Sequence, residues 1–301
     1  MATDKESWGY LHPELQHMIL EALLQTGGSL ASFATVSREW QTVIERHNFA
    51  RIKLTPSRLS GLDSMISRNR ALVGYIWFCI ELQEYDCTRC ASQVMQGMID
   101  DDSSIITTAV EDLCSSLSTW EPHGALVLDI SVHSPSDSKH WFKYLTFVPD
   151  VPSAECGRIL EQAMLADVDD HRHGWINGFR YDPPMVAIDE VFDDIMCTAP
   201  FDSDGQELLW WQQLPLIPAV TSVLLRQQTR RRWKPWALAQ MFSRFPRLQE
   251  IHYEPWREWL GGYQSFTDNC KFFCLILLFG GVYISFMFHS LTATYLHFSS
   301  M

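Results

Sequence analysis

Residues 11–54 constrain the fold of this chain more than any other stretch, because apolar residues recur there at helical spacing. Pro13 suits the first turn of a helix, where its missing N–H would have no partner, and Glu14 suits the positive end of the helix dipole. The Gly27-Gly28 pair is typical of a helix end. The pattern predicts two or three short helices, a unit too small to be stable without a partner or a following domain.

The same residues resemble an F-box, of the kind found in fungal F-box proteins of undetermined substrate. The resemblance rests on Leu-His-Pro-Glu-Leu at 11–15, Val-Ser-Arg-Glu-Trp at 36–40 and Phe-Ala-Arg-Ile at 49–52, and it departs from the family at His12, where proline is usual. It implies a three-helix F-box at residues 8–52 that docks onto the Skp-type adaptor of a cullin-based ubiquitin ligase. The adaptor-binding residues that it implies are Leu11, Pro13, Leu15, Ile19, Leu20, Leu23, Val36 and Trp40. The alternative is an ordinary helical subdomain.

Residues 53–259 alternate between strand and helix patterns and form the second predicted domain. Strands are expected near residues 49–54, 73–82, 126–132, 220–225 and 248–253. The first and last pairs lie about 25 to 30 residues apart, close to the length of a leucine-rich repeat. The predicted fold class is α+β: a three-helix F-box followed by an irregular leucine-rich-repeat-like α/β solenoid. A generic α/β domain is the alternative, because the repeat's usual asparagine is missing.

Residues 133–214 interrupt this pattern and are interpreted as an insertion. Long insertions in a solenoid often decorate the binding face, so a surface that recognises a protein substrate is expected here. Trp210 and Trp211 lie near its end and serve either as interface anchors or, more commonly for large aromatic side chains, as core packing.

Composition bounds the partners and the compartment. The chain has 301 residues, is 47% hydrophobic and carries a formal net charge of -13. An acidic balance argues against nucleic acid as the main partner, since phosphate binding depends on Lys and Arg. The eight cysteines form no dense disulfide framework and no signal segment opens the chain, so we expect reduced thiols and a location in the cytoplasm or nucleus.

Three groups of residues are candidate sites of chemistry. Cys87 and Cys90 have the spacing of half a zinc site, but no second Cys or His pair follows at finger spacing. The acidic and histidine-rich run 167–173 and the basic run 226–234 are interpreted as solvated loops. Hydrolase, P-loop and dinucleotide motifs are absent. We therefore predict a non-enzymatic protein without a metal, cofactor or catalytic residue, whose thermal melting is insensitive to chelators.

Residues 260–301 form an apolar tail in which no charged residue follows Lys271. The run 272–288 is near the lower length limit for a membrane span, and positive charge before it predicts a tail anchor with the main body in the cytosol. The alternatives are a gene-model artefact or loose extension, and a buried pair of core strands. The residues assigned to the membrane segment are Phe272, Leu275, Leu278, Val282 and Phe286.

Together these patterns predict a substrate-recognition adaptor of a Skp-cullin-F-box ubiquitin ligase. Its partners would be the Skp-type adaptor, the cullin complex and a protein substrate, with the membrane as a further partner through the tail. The alternative is a tail-anchored scaffold or interaction protein without ubiquitin-ligase function.

Overall fold

The computed structural model describes residues 8, 11–25, 30–90, 96–143, 145, 169–192, 194–196, 200–226, 229, 231–254 and 283–286. Its α-helices are α1 Pro13–Gln25, α2 Arg38–Ala50, α3 Pro56–Leu59, α4 Leu62–Ile66, α5 Gln96–Ser118, α6 Met185–Phe192, α7 Asp204–Gln213 and α8 Pro235–Phe242. Its strands are β1 Arg51–Leu54, β2 Tyr75–Glu81, β3 Val127–His133, β4 Trp175–Ile176, β5 Phe179–Arg180, β6 Asp194–Ile195, β7 Ser222–Leu225, β8 Arg232–Trp233, β9 Glu250–Tyr253 and β10 Tyr283–Phe286.

The N-terminal part is a helical module made of α1, the short 3-10 helix Phe33–Thr35 and α2. Helix α1 begins at Pro13, as its sequence predicts. Helix α2 begins after Ser37, whose extended backbone lets its hydroxyl oxygen accept the N–H of Trp40 at 3.3 Å. Helix α2 then runs directly into β1, so no loop separates the module from the sheet.

A parallel sheet organises the rest of the described chain. Strands β1, β2, β3, β7 and β9 lie side by side in chain order and all pair in parallel, and β10 adds to the edge beside β9. Each of the five lies where the sequence predicts a strand. Two small two-stranded sheets, β4 with β5 and β6 with β8, lie outside it. The mixed α/β character that the sequence predicts is therefore confirmed, and the structure adds that the main sheet is parallel.

The main core lies on one face of this sheet. Alternate residues of β2, namely Ile76, Phe78 and Ile80, join an apolar cluster with side chains of α5 and α8. Trp211 of α7 is fully buried in the same cluster and Trp210 packs against it partly buried, so Trp211 is a core residue. Because β2 is buried on both faces, it reads as a continuous apolar run.

The region interpreted as an insertion is partly described. It holds the 3-10 turn His171–His173, the β4–β5 hairpin, and α6, which forms a second apolar cluster with Phe142 and Leu145. The helix predicted near residues 155–166 falls outside the described residues.

The basic run 226–234 is not the solvated loop that its charge suggested. The side chains of Arg226 and Arg231 are buried and form ion pairs with the buried carboxylates of Asp129 and Asp137. The expectation was wrong for these two positions, because charge in a sequence does not show whether a buried partner is available.

Candidate functional site

Helix α1 presents an exposed apolar face. Leu15, Met18 and Ile19 lie three and four positions apart on one side of the helix, and Met18 is 62% exposed. Across the module Phe33 and Val36 are also exposed, Val36 by 60%. We call Leu11, Leu15, Met18, Ile19, Phe33 and Val36 the module's apolar face.

The predicted adaptor-binding residues divide between this face and the interior. Leu11, Pro13, Leu15, Ile19 and Val36 are exposed, Leu23 and Trp40 are half-buried, and Leu20 is buried. The indole ring of Trp40 packs against Trp8, with centroids 4.9 Å apart, and against Phe33 at 6.3 Å. Leu20 and Trp40 therefore stabilise the module internally, whereas the exposed residues are available for contact.

A cluster of two thiols and two imidazoles lies beyond the carboxyl ends of β2 and β3. The ligand atoms of Cys87, Cys90, His140 and His173 all lie within 4.8 Å of one another. The sulfur of Cys87 is 3.5 Å from Nδ1 of His140 and 3.5 Å from Nε2 of His173. We call these four residues the Cys–His cluster. Sequence patterns missed it because its histidines are single residues from two separate segments rather than a pair.

Local structure positions each member of the Cys–His cluster. The two cysteines lie in a turn begun by Asp86, whose side-chain oxygen accepts the N–H of Thr88 at 2.8 Å and whose carbonyl accepts the N–H of Cys90 at 3.0 Å. His173 ends its 3-10 turn at Gly174, which has a φ of 68°. A Cβ on Gly174 would meet the Trp141 ring at 2.9 Å, so this position requires glycine.

The second nitrogen of each imidazole is also held. Nε2 of His140 lies 3.2 Å from the carbonyl oxygen of Tyr85, and Nδ1 of His173 lies 2.7 Å from a carboxylate oxygen of Asp170. The hydrogen bond from Lys143 is the main cause that lowers the pKa of Asp170 to about 2. Burial lowers the pKa of His140, which favours the neutral imidazole, and burial raises the pKa of Cys90.

A buried ion pair supports the loops that carry the cluster. Asp137 accepts hydrogen bonds from Nη1 of Arg231 at 2.6 Å, from the hydroxyl of Tyr85 at 3.1 Å and from the backbone N–H of Ser134 at 2.9 Å. The ring of Tyr85 in turn lies 5.4 Å from the ring of His140. One carboxylate therefore joins the loops after β2 and β3 to the segment before β8.

The sheet face opposite the main core carries polar side chains of β2 and β3. Tyr75 donates to Asp129, Trp77 donates to the hydroxyl of Ser131 at 2.9 Å, and Cys79 lies 3.7 Å from Nδ1 of His133. Burial raises the pKa of Cys79 to about 12 and lowers that of His133 to about 4. Both groups are therefore neutral at pH 7, which does not suit a thiolate nucleophile.

Most of the proposed membrane segment lies outside the described residues, including Phe272, Leu275, Leu278 and Val282. Phe286 belongs to β10, which pairs in parallel with β9. Among the residues that the structure describes, no helix combines the length and apolar character that crossing a bilayer requires.

Comparisons with known proteins add no family to these observations. No protein-family model matches the chain, and no curated protein or solved structure matches it either. Two features of the chain itself bear on its function, the module's apolar face and the Cys–His cluster.

Proposed function

We propose that this chain is a non-enzymatic substrate-recognition adaptor of a Skp-cullin-F-box ubiquitin ligase. The single observation that carries the proposal is the module's apolar face. Leu15, Met18 and Ile19 are exposed on one side of helix α1, and exposed apolar surface of this kind marks protein-binding sites when it forms a large patch. Five residues that the F-box resemblance assigns to adaptor binding are exposed: Leu11, Pro13, Leu15, Ile19 and Val36.

The sheet supports the second half of the proposal, an irregular leucine-rich-repeat-like solenoid that binds the protein substrate. Its strands follow one another in chain order and pair in parallel, an arrangement that stacked repeats adopt. Arg51 pairs with Tyr75, and Ser222 pairs with Glu250, so two strand-to-strand steps have the length of a single repeat. The longer step from β3 to β7 contains the region from which we expect substrate recognition.

The mechanism of such an adaptor is positional. Binding the adaptor through the module and the substrate through the sheet region converts ubiquitin transfer into an event at high effective concentration. On the sheet face opposite the main core, the contact between Cys79 and His133 is between neutral groups, which does not suit a thiolate nucleophile.

The test is co-purification of the full chain with a Skp-type adaptor. The variant Leu15→Ser with Ile19→Ser removes two side chains of the apolar face. Because both are exposed, we expect unchanged thermal melting and loss of adaptor binding by at least about 100-fold. The matched control is Leu209→Ser with Leu216→Ser, which changes two leucines outside the module that are at least as exposed as Leu15 and Ile19. We expect the control to bind like the wild type.

Two results would contradict the proposal. One is a wild-type chain that fails to bind the adaptor, and the other is a Leu15/Ile19 variant that binds as well as the control. If the Leu15/Ile19 variant lost binding together with its cooperative melting transition, it would be unfolded, and the single variant Met18→Ser would repeat the test. Met18 is the most exposed large apolar side chain of the face. Unchanged binding by that variant would also count against the proposal.

A further inference from the structure

We propose that the Cys–His cluster binds a zinc ion as a closed structural site. The site goes beyond the adaptor function and does not depend on it. Its four donor groups, two thiolates and two imidazoles, are the ligand set that tetrahedral structural zinc sites use. The donors come from three segments: Cys87 and Cys90 after β2, His140 after β3 and His173 before β4.

The distances in the cluster suit zinc. Zinc–sulfur bonds of about 2.3 Å and zinc–nitrogen bonds of about 2.0 to 2.1 Å give a tetrahedral sulfur-to-nitrogen edge of about 3.6 Å. The sulfur of Cys87 lies 3.5 Å from a nitrogen of His140 and 3.5 Å from a nitrogen of His173. Two edges of the tetrahedron are thus already in place. All four donor atoms lie within 4.8 Å, so small side-chain rotations complete the shell.

The hydrogen bonds of the two histidines indicate which nitrogens face the cluster without a proton. A carbonyl oxygen only accepts, so the contact with Tyr85 places a proton on Nε2 of His140. The carboxylate of Asp170 does the same for Nδ1 of His173. In its neutral form, as a metal ligand requires, each ring then directs a lone pair toward the sulfur of Cys87. A thiol has one proton and can donate to only one of them, whereas a cation satisfies both.

These contacts are the second shell that zinc sites usually have. A metal-binding histidine commonly donates its other N–H to a carbonyl or a carboxylate, which fixes the ring and the tautomer. Here the acceptors are the backbone of Tyr85 and the side chain of Asp170, and Lys143 pairs with the same carboxylate. The structure therefore holds the outer partners of both histidines alongside the four donors.

Four protein ligands leave no open position for substrate or water, which makes the site structural rather than catalytic. The ion would join Cys87 to His140, 53 positions along the chain, and to His173, 86 positions along. It would thereby fix the loops at the carboxyl edge of β2 and β3, where the main core does not reach. The sequence predicts that chelators leave thermal melting unchanged. The geometry favours the opposite outcome, a lower melting temperature when a chelator removes the zinc.

The first test uses the full wild-type chain purified without chelator. Elemental analysis is expected to find stoichiometric zinc, and replacement by cobalt is expected to give a thiolate-to-cobalt absorption band. Zinc is also expected to protect Cys87 and Cys90 from alkylation, as read by peptide mass spectrometry. Absence of stoichiometric metal, or equal alkylation of both cysteines with and without zinc, would overturn the proposal.

A matched pair of variants locates the ion. His171 and His173 belong to the same 3-10 turn, but the His171 side chain is 70% exposed and that of His173 is 6% exposed. We expect His173→Ala to lose the zinc and His171→Ala to keep it. Asp170→Ala, which changes only the second shell, is expected to weaken zinc affinity by about 10- to 100-fold in competition with a chromophoric chelator. Equal zinc content in His173→Ala and His171→Ala would refute this assignment of ligands.

Discussion

Helices α1 and α2 bury one residue each, Leu20 and Ile44, whereas β2 is buried from Tyr75 to Ile80 on both of its faces. The helical module leaves large apolar side chains in water, while the sheet region takes charged side chains such as Asp137 and Arg231 out of it. The sheet region also exposes single apolar side chains, such as Leu209 and Leu216, but its strands are buried. The sparse burial of the two module helices is what our proposal expects of a module that is covered by a partner.

The largest expected effect tests the buried charge of the sheet region. Asp137→Asn keeps the side-chain volume but removes the charge that pairs with Arg231. It also replaces one acceptor oxygen by an amide N–H₂, which cannot accept from Arg231 or Tyr85. Because removing one partner of a buried ion pair leaves charge poorly compensated, we expect the free energy of unfolding to fall by about 3 to 5 kcal/mol. Chemical denaturation at pH 7 measures it.

The matched control is Glu84→Gln, which makes the same change in an exposed pair with Lys139. Exposed ion pairs commonly contribute nothing measurable, so the control should unfold like the wild type. If Asp137→Asn and Glu84→Gln lowered the free energy of unfolding by the same small amount, the buried pair would stabilise the sheet region no more than an exposed pair does.

A second, smaller effect concerns the buried histidine of β3. Burial lowers the pKa of His133 from 6.5 to about 4, although the charge of Asp137 opposes the shift. Between pH 4 and pH 6.5 the imidazole of His133 is therefore protonated in the unfolded chain and neutral in the folded chain. The contribution of His133 to stability is fully present above pH 6.5 and is lost as the pH falls toward 4.

Denaturation at pH 7 and pH 5 measures this effect. Replacing His133 by Gln should reduce the wild-type loss of stability over this interval by about 2 kcal/mol. His17→Gln, an exposed position of the helical module, serves as the control and should keep the wild-type loss. A His133→Gln variant with the wild-type pH dependence would contradict the burial argument.

The smallest expected effect asks whether the two regions unfold together. Ser37 caps α2 in the module and Ser203 caps α7 in the sheet region, each by accepting a backbone N–H at 3.3 Å. Replacing either by alanine should cost about 1 kcal/mol. Because α2 continues into β1, we expect both variants to shift one shared transition by the same amount. Separate transitions, with Ser37→Ala moving only one, would show that the module folds independently.

Much of the sheet could be predicted from the sequence because its strands carry strong local signals. The runs at 73–82 and 126–132 are apolar and β-branched enough to read as buried strands, and Pro13 marks the start of α1. The exposure of Leu15 and Val36 was consistent with the F-box resemblance but could not be derived from periodicity. An apolar stripe on a helix has the same sequence pattern whether it packs against the core or binds a partner protein.

The Cys–His cluster could not be predicted, because its members are distant in sequence and meet only through the sheet. Strands β2 and β3 pair in parallel, so both end at the same edge of the sheet and the segments that follow them begin there. This brings His140 to Cys87. The burial of Arg231 could not be predicted for the same reason, because its partner Asp137 is 94 positions away in the sequence. Gly174 after the His-Arg-His run was one available local signal, since a glycine there is typical of a tight turn.

The order of strands in the sheet has a consequence for how the chain folds and how it can change. Strands β1, β2 and β3 follow one another closely, whereas β3 ends at His133 and β7 begins only at Ser222. Leu126 and Thr221, which hydrogen-bond at the start of these two strands, are 95 positions apart. Each doubling of a loop costs only about 0.6 kcal/mol in closure entropy, but distant pairings form slowly. We therefore expect β7 and β9 to join a sheet already nucleated by β1–β3. The same arithmetic means that insertions in the connecting region cost little closure entropy, provided that they leave Asp137, His140, His173 and Trp211 in place.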